Sequence, residues 1–330
     1  MQYDSRCLAS CPFRVTSPMT RPVDTRTESE RARPWIFAAL AAHTGWGAYP
    51  VLARYLQTVT LLPSISLLAA GSAVALVALL IVVRPRLELR IFRSPLMWLF
   101  IVVLIARATT NLLATRYTLA IYVQLITLMT PFLVVLFSAT FLRERLPPYT
   151  WRAIIIATVG ALLMMSGDLN QAELGLAFTP QDWLGMGLAF ASSLTLALYM
   201  IIIRRSARHQ IPGKSMLLVQ LGAILVFSLI VSPILGEEWQ RWLAMTPFDW
   251  LIFAAFSLGV LFGANLGQVG ALRHLGAPMV SSLLAWRLVS ALIFAALLLD
   301  ERLTSPWQFL GALIVLITIT WYLQRQSSAN

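Results

Sequence analysis

The stretch 114–146, ATRYTLAIYVQLITLMTPFLVVLFSATFLRERL, overlays 271–303, ALRHLGAPMVSSLLAWRLVSALIFAALLLDERL, without a gap at an offset of 157. Ten of the 33 positions are identical: Ala114, Arg116, Ala120, Val123, Phe137, Ala139, Leu142, Glu144, Arg145 and Leu146 each meet the same residue 157 positions on. Apolar composition supplies some of these matches by itself. It does not supply a closing Glu-Arg-Leu in register with an Ala-x-Arg 28 residues earlier. The chain is read as an internal duplication.

Working outward, the composition places both copies in a membrane. Apolar residues make up 58% of the 330 and charged residues 12%, about half the share of a soluble domain. Mean hydropathy is +0.76. Apolar stretches of about 20 residues, bounded by charge, proline or glycine, number ten. They run over 34–53, 62–83, 95–115, 119–141, 149–166, 182–203, 215–235, 248–270, 277–299 and 305–323. The organisation that follows is a tail over 1–33, a first repeat over 34–166, a linker over 167–181, a second repeat over 182–324 and a short end at 325–330. Each repeat holds five spans, so the second enters the bilayer in the opposite sense to the first. The expected fold is an all-α integral membrane protein with ten transmembrane helices in two inverted five-helix repeats.

The excess of 25 Lys+Arg over 14 Asp+Glu would suggest nucleic acid in a soluble protein. Here it fits the enrichment of cytoplasmic loops in positive charge, and no nucleic-acid partner is expected. With the N-terminus in the cytoplasm, inside segments carry 19 of the basic residues and outside segments four: Arg54, Arg116, Arg241 and Arg302. Both termini are therefore expected on the cytoplasmic side of the inner membrane. The tail is rich in Arg, Ser, Thr and Pro, reads as disordered, and lacks the short apolar core of a signal peptide. Met1 and Met19 both stand as candidate starts. Cys7 and Cys11 have no nearby ligands to complete a metal site, and no metal or cofactor is expected.

The ten spans, the duplication, Trp46-Gly47 in the first span and the Glu-Arg-Leu closing the fourth and ninth spans together resemble the drug/metabolite transporter superfamily, in its EamA-like branch. The resemblance covers about 34–324. It implies an alternating-access carrier whose central cavity is lined mainly by spans 1, 3, 4, 6, 8 and 9. Members of the family differ in substrate, and many export amino acids, metabolites or drugs. The family usually carries a proline about 13 residues before the glutamate. Pro131 keeps it as a candidate hinge in the fourth span, whereas the ninth has Leu288 there, preceded by Arg287. Glu144 and Glu301 are read as structural marks of the family.

The remaining two basic residues, Arg107 and Arg287, fall inside spans. An arginine at the centre of a spanning helix costs about 3 kcal/mol on insertion scales. No Asp or Glu lies in the middle of any span, so amides, carbonyls, water or a bound anion must satisfy the two guanidinium groups. A planar guanidinium fork suits a carboxylate or phosphate. The preferred reading is that Arg287 with Arg107 binds an anionic group of the substrate. A structural cation and a gating role are the alternatives.

Helical spacing puts Arg107, Thr110 and Asn111 on one stripe, Gln124, Thr127 and Pro131 on another, Asn265 near Gln268, and Arg287 near Ser290. Asn111 and Gln268 are equivalent in the repeat. Polar stripes on repeat-related helices fit a midplane site on a pseudo-two-fold axis. Helix-to-helix adhesion explains single amides and hydroxyls equally well. Trp46, Tyr49 and Tyr199 are candidates to line the cavity. His43 is either a packing residue or the candidate for proton coupling.

These residues point to a secondary transporter, ion- or exchange-driven, of a small metabolite, with an anionic or carboxylate-bearing one as the preferred reading. Export of amino acids or of lipophilic cationic or zwitterionic drugs is the alternative, with a lipid flippase behind it. Catalytic residues are not expected: the loops offer neither a base–acid pair nor a metal-binding cluster, which argues against a membrane-embedded enzyme. The expected partners are the substrate and the lipid bilayer, and a homodimer through a peripheral span is compatible with the chain.

Overall fold

Proline and polar side chains set the character of the first helix. A computed structural model describes residues 28–85, 89–142, 149–165, 179–208, 211–271, 286–303 and 305–328. In it α1 (Glu28–Thr58) carries Pro34 and Pro50 within its length. Pro50 has no N–H to give the carbonyl of Trp46, so α1 is weakened where its aromatic and polar residues cluster. The helices that follow are α2 (Ser64–Val82), α3 (Pro95–Tyr117), α4 (Ala120–Thr127), α5 (Thr130–Leu142) and α6 (Thr150–Met165). After them come α7 (Pro180–Arg208), α8 (Gly213–Ile234), α9 (Pro247–Ala271), α10 (Trp286–Leu298) and α11 (Pro306–Ser328). No strand occurs among the described residues.

Among the described residues, six segments are long and apolar enough to cross a membrane: α2, α3, Ala120–Phe137, Pro180–Ile203, α8 and α9. Thr150–Met164, Trp286–Leu298 and Pro306–Tyr322 are shorter apolar helices. In α1 the run His43, Thr44, Trp46, Tyr49 and Pro50 dilutes the apolar character. Glu144, Cys7 and Cys11 lie outside the described residues, as does the segment 272–285 that corresponds to α4 in the repeat.

The helices pair in a reciprocal pattern. α3 packs on α7 as α9 packs on α1, and α4 and α5 pack on α7 as α10 packs on α1. α2 meets its counterpart α8, and α6 meets its counterpart α11. Each repeat therefore presents its first helix to the third and fourth of the other. One apolar core, around Leu56, Leu68, Phe100, Leu217 and Phe256, joins α1, α2, α3, α8 and α9. A second, around Phe132, Ala157, Leu288 and Tyr322, joins α4, α5, α6, α10 and α11. Apolar side chains such as Ile155 and Leu162 on α6, Leu313 and Ile317 on α11 and Leu229 and Ile230 on α8 are exposed. A lipid environment accepts such faces without penalty, so helix association there depends on close packing and hydrogen bonds. Gly160 and Gly311 supply that closeness for α6 and α11: a Cβ on Gly311 would lie 2.5 Å from the Gly160 carbonyl oxygen.

The fourth span bends between α4 and α5. Pro131 cannot bond to the carbonyl of Thr127, and the Thr130 hydroxyl takes its place at 2.6 Å. In α9 the residues Ala255–Ala264 are wound as a π-helix, a rare form that is frequent at functional sites. Asn265 follows directly and returns its amide N–H to the Leu261 carbonyl at 2.7 Å.

Candidate functional site

Gly47 places the site. A Cβ at this position would lie 2.0 Å from Ser290 Oγ and 2.4 Å from the Arg287 carbonyl oxygen, so only glycine lets α10 approach α1 this closely. The approach puts Arg287 beside two residues of α1. Its Nε donates to His43 Nδ1 at 2.8 Å, and its guanidinium lies 5.7 Å from the centroid of the Trp46 ring. Arg107, from α3, reaches the same ring at 5.5 Å and also covers the Tyr199 ring at 4.8 Å. Two cations thus share one indole. Each such contact contributes about 0.5 to 2 kcal/mol, more as water is removed.

The surrounding residues hold these groups in place. Tyr199 stacks on Phe100 with centroids 5.5 Å apart and donates its hydroxyl to Gln220 on α8 at 2.8 Å. Tyr49 lies 6.0 Å from Trp46 and 5.5 Å from Phe256. Trp286 Nε1 donates to Thr44 at 2.8 Å, a second tie between α10 and α1.

Two small cavities meet at Trp46, Tyr49, Arg107 and Asn111. One, of about 40 Å³, adds Ser72, Gln220 and Asn265. The other, of about 20 Å³, adds Gln124, Thr127, Ser192 and Arg287. These volumes admit water-sized guests, so the walls close around the site. Among the described residues, no acidic side chain lines either cavity. Three polar atoms in the walls are buried and without a hydrogen-bond partner in the protein: Trp46 Nε1, Gln124 Nε2 and Ser72 Oγ. The first two only donate, and with two guanidinium groups they make a donor-rich, acid-free lining suited to an acceptor.

The structure brings together most of the residues singled out in the sequence. Trp46, Tyr49, Arg107, Asn111, Gln124, Asn265 and Arg287 line the cavities, and His43 touches Arg287 from behind. Tyr199 backs Arg107 rather than lining space. Gln268 lines neither cavity, contrary to its pairing with Asn111. Its neighbours explain this: Gly267 faces Ala38 and Gly270 faces Trp35, so this turn of α9 lies beyond the site near the start of α1. Thr110 bonds back to Ala106 at 2.7 Å. Pro131 is at the α4–α5 bend and lines neither cavity.

Other features were not read from the sequence. α2 and α8 line the larger cavity through Ser72 and Gln220, although spans 2 and 7 were not expected to. Gln220 sits in an otherwise apolar run, the one signal that could have marked it. Glu301 is more than a family mark: it pairs with Arg54 and faces the first backbone N–H groups of α4.

The sequence pattern of the EamA-like transporter family matches residues 33–166 and 183–324, one match for each repeat. The chain belongs to the EamA-like transporter family. It is therefore a multi-pass membrane protein of a transporter family. A solved crystal structure matches the fold with a TM-score of 0.57 at 20% identity, covering 91% of this chain and all (100%) of that one. Curated protein sequences gave no match.

Proposed function

We propose that this EamA-like protein is a secondary transporter of a small metabolite bearing an anionic group, working by alternating access in the cytoplasmic membrane. The reading includes ten spans in two inverted repeats with both termini cytoplasmic, and the two family matches, one per repeat, support it. The observation that carries it is the lining: Arg107 and Arg287 meet at Trp46 with unpartnered donors around them and no acid among the described residues of either cavity wall. An organic cation meets two like charges there and no carboxylate among the described lining residues. An anion meets two charged forks that need no counter-charge from the protein.

The closed cavities imply a second conformation in which substrate enters, and the bend at Pro131 and the weakened α1 near Pro50 are the places where the helices can give. The test is thermal stabilisation of the detergent-purified protein by matched anionic, zwitterionic and cationic metabolites, for wild type and Arg287→Ala. A ligand at one hundred times its dissociation constant stabilises by about 2.7 kcal/mol. Stabilisation of wild type alone by anions supports the reading. Equal stabilisation of both proteins by cations or zwitterions assigns the arginines to structure and the protein to export of those compounds.

A further inference from the structure

Arg287 Nε has one hydrogen and no available lone pair, so its 2.8 Å contact with His43 Nδ1 has a fixed polarity: arginine donates and imidazole accepts. His43 in this arrangement is neutral, with its own proton on Nε2. A proton arriving on Nδ1 removes the acceptor and sets an imidazolium against a guanidinium at hydrogen-bond distance. The two side chains are 1% and 6% exposed, so water screens that repulsion little.

Among the described residues, the acids that contact α1 do so near its end, Asp249 at Tyr55 and Glu301 at Arg54, about three turns from His43. α10 brings Arg287, and α3 brings Arg107, held one ring away across Trp46. α9 has no titratable side chain from Trp250 to Ala271. The titratable group of α4 is Tyr122, which packs into the other apolar core. Protonated His43 would make a third cation in this cluster, and an anion is the group that stabilises it.

We propose that His43 and Arg287 form a proton-coupled switch in which a proton on His43 frees Arg287 Nε for the substrate anion, so that proton and anion bind and cross together. This rests on the anion-binding reading above. The exchange balances: His43 Nδ1 gains one proton, the Nε–H···Nδ1 bond is lost, and an Nε–H···O⁻ bond to the anion forms. On the far side the anion leaves, Arg287 returns to His43, and the proton departs from Nδ1. One proton moves with each anion, so a monoanion is carried without net charge. An inward proton gradient then drives uptake rather than export.

The test uses pyruvate, benzoate and sulfate, whose charges stay fixed between pH 5.5 and 8.5, so that any pH dependence belongs to the protein. Binding to the full-length protein is measured across that range together with proton uptake in weak buffer. The background is His209→Gln/His274→Gln, which leaves His43 as the sole histidine of the three. Tighter binding as pH falls, by up to tenfold per pH unit, with uptake of up to one proton per anion, is the expected result. Adding His43→Gln, whose Oε1 still accepts from Arg287 Nε, should flatten the pH dependence and abolish the uptake. Pyruvate, benzoate or sulfate bound at one affinity throughout, with no proton taken up, overturns the coupling and leaves the anion reading standing. No binding of any of the three at any pH overturns the anion reading and the switch together. Should the glutamine variant fail to fold, the proton count in the single-histidine background decides.

Discussion

Glu301 Oε1 lies 2.8 Å from Arg54 Nε, and the same carboxylate faces the backbone N–H groups of Ala120 at 3.4 Å and Ile121 at 3.5 Å. One side chain thus joins the end of α10, the end of α1 and the start of α4, where helix N–H groups lack partners of their own. Arg54 also reaches the carbonyls of Thr115 and Thr118 at the end of α3. Four helix ends are tied at one face of the bundle, the face expected to be extracytoplasmic. Under the alternating-access reading proposed above, opening toward that side would have to break this pair.

Burial pushes the Glu301 carboxyl up from the ordinary glutamate range, while Arg54 and the two N–H groups pull it down by less. The folded state therefore binds the proton more tightly than the unfolded one. Stability from this group is full below the ordinary value of about 4.3 and is lost as pH rises through the higher folded value. Melting of wild type in detergent should rise as pH falls toward that window, and Glu301→Gln should flatten the slope. Glu301→Ala removes the acceptor altogether and should cost about 1 to 3 kcal/mol, because the partly buried Arg54 keeps only the Thr115 and Thr118 carbonyls. An unchanged slope in the glutamine variant would assign the pH effect elsewhere.

Gly47→Ala forces a Cβ into Ser290 Oγ and the Arg287 carbonyl. Overpacking of this kind costs about 1 to 3 kcal/mol, and here it also moves Arg287 away from His43 and Trp46. The variant should melt lower and lose ligand stabilisation. Ser290→Ala in the same chain should recover part of the stability only, since the backbone oxygen stays. Full recovery would mean that the hydroxyl alone sets the distance between α1 and α10.

The offset of 157 made the repeat legible because ten identities fall in one gapless register, and hydropathy marked the apolar segments, six of them long enough to cross a membrane among the described residues, because it averages over neighbours in the chain. The polar stripes on α3 and α4 were legible for the same reason: helical periodicity is local. What could not be read were contacts across large separations. His43 and Arg287 are 244 residues apart, and neither names the other in the sequence. Sequence reasoning left the arginines to amides, carbonyls, water or an anion, whereas an indole, a phenol and an imidazole take up much of the task. Gln268 lies on the turn of α9 whose glycines face Ala38 and Trp35, a placement that its equivalence to Asn111 in the repeat does not specify.

Glu237 offers a separate test at the same end of the bundle. Its Oε1 accepts from the Ile65 N–H at 2.8 Å and its Oε2 from the Ser66 N–H and the Ser232 hydroxyl at 2.7 Å each. It caps α2 from the α8–α9 connection, 172 residues away in the chain. Charged bonds to backbone N–H contribute about 1.5 to 3 kcal/mol each when the partner is left buried. Glu237→Ala should lower the melting point and speed amide exchange at Ile65 and Ser66 before the rest of α2. Exchange that accelerates evenly along α2 would indicate global rather than local loosening.

Trp46 is where both guanidinium groups converge, so its substitution separates the ring's electrostatic role from its bulk. Trp46→Phe keeps an aromatic face but gives up the unpartnered Nε1 donor and part of the ring's attraction for cations. Trp46→Leu keeps apolar volume and gives up the face altogether. If the indole holds Arg107 and Arg287 in place against their mutual repulsion, the leucine variant should weaken anion binding about 10- to 30-fold, a loss of about 1.4 to 2 kcal/mol, and the phenylalanine variant about 3-fold. If the donor matters more than the face, the two variants should lose affinity equally, because both lack the N–H. Titration of the two proteins with the anion that best stabilises wild type distinguishes the cases. Equal affinity in all three proteins would show that the arginines keep their positions without the ring, leaving His43 and Tyr199 as the groups that hold them.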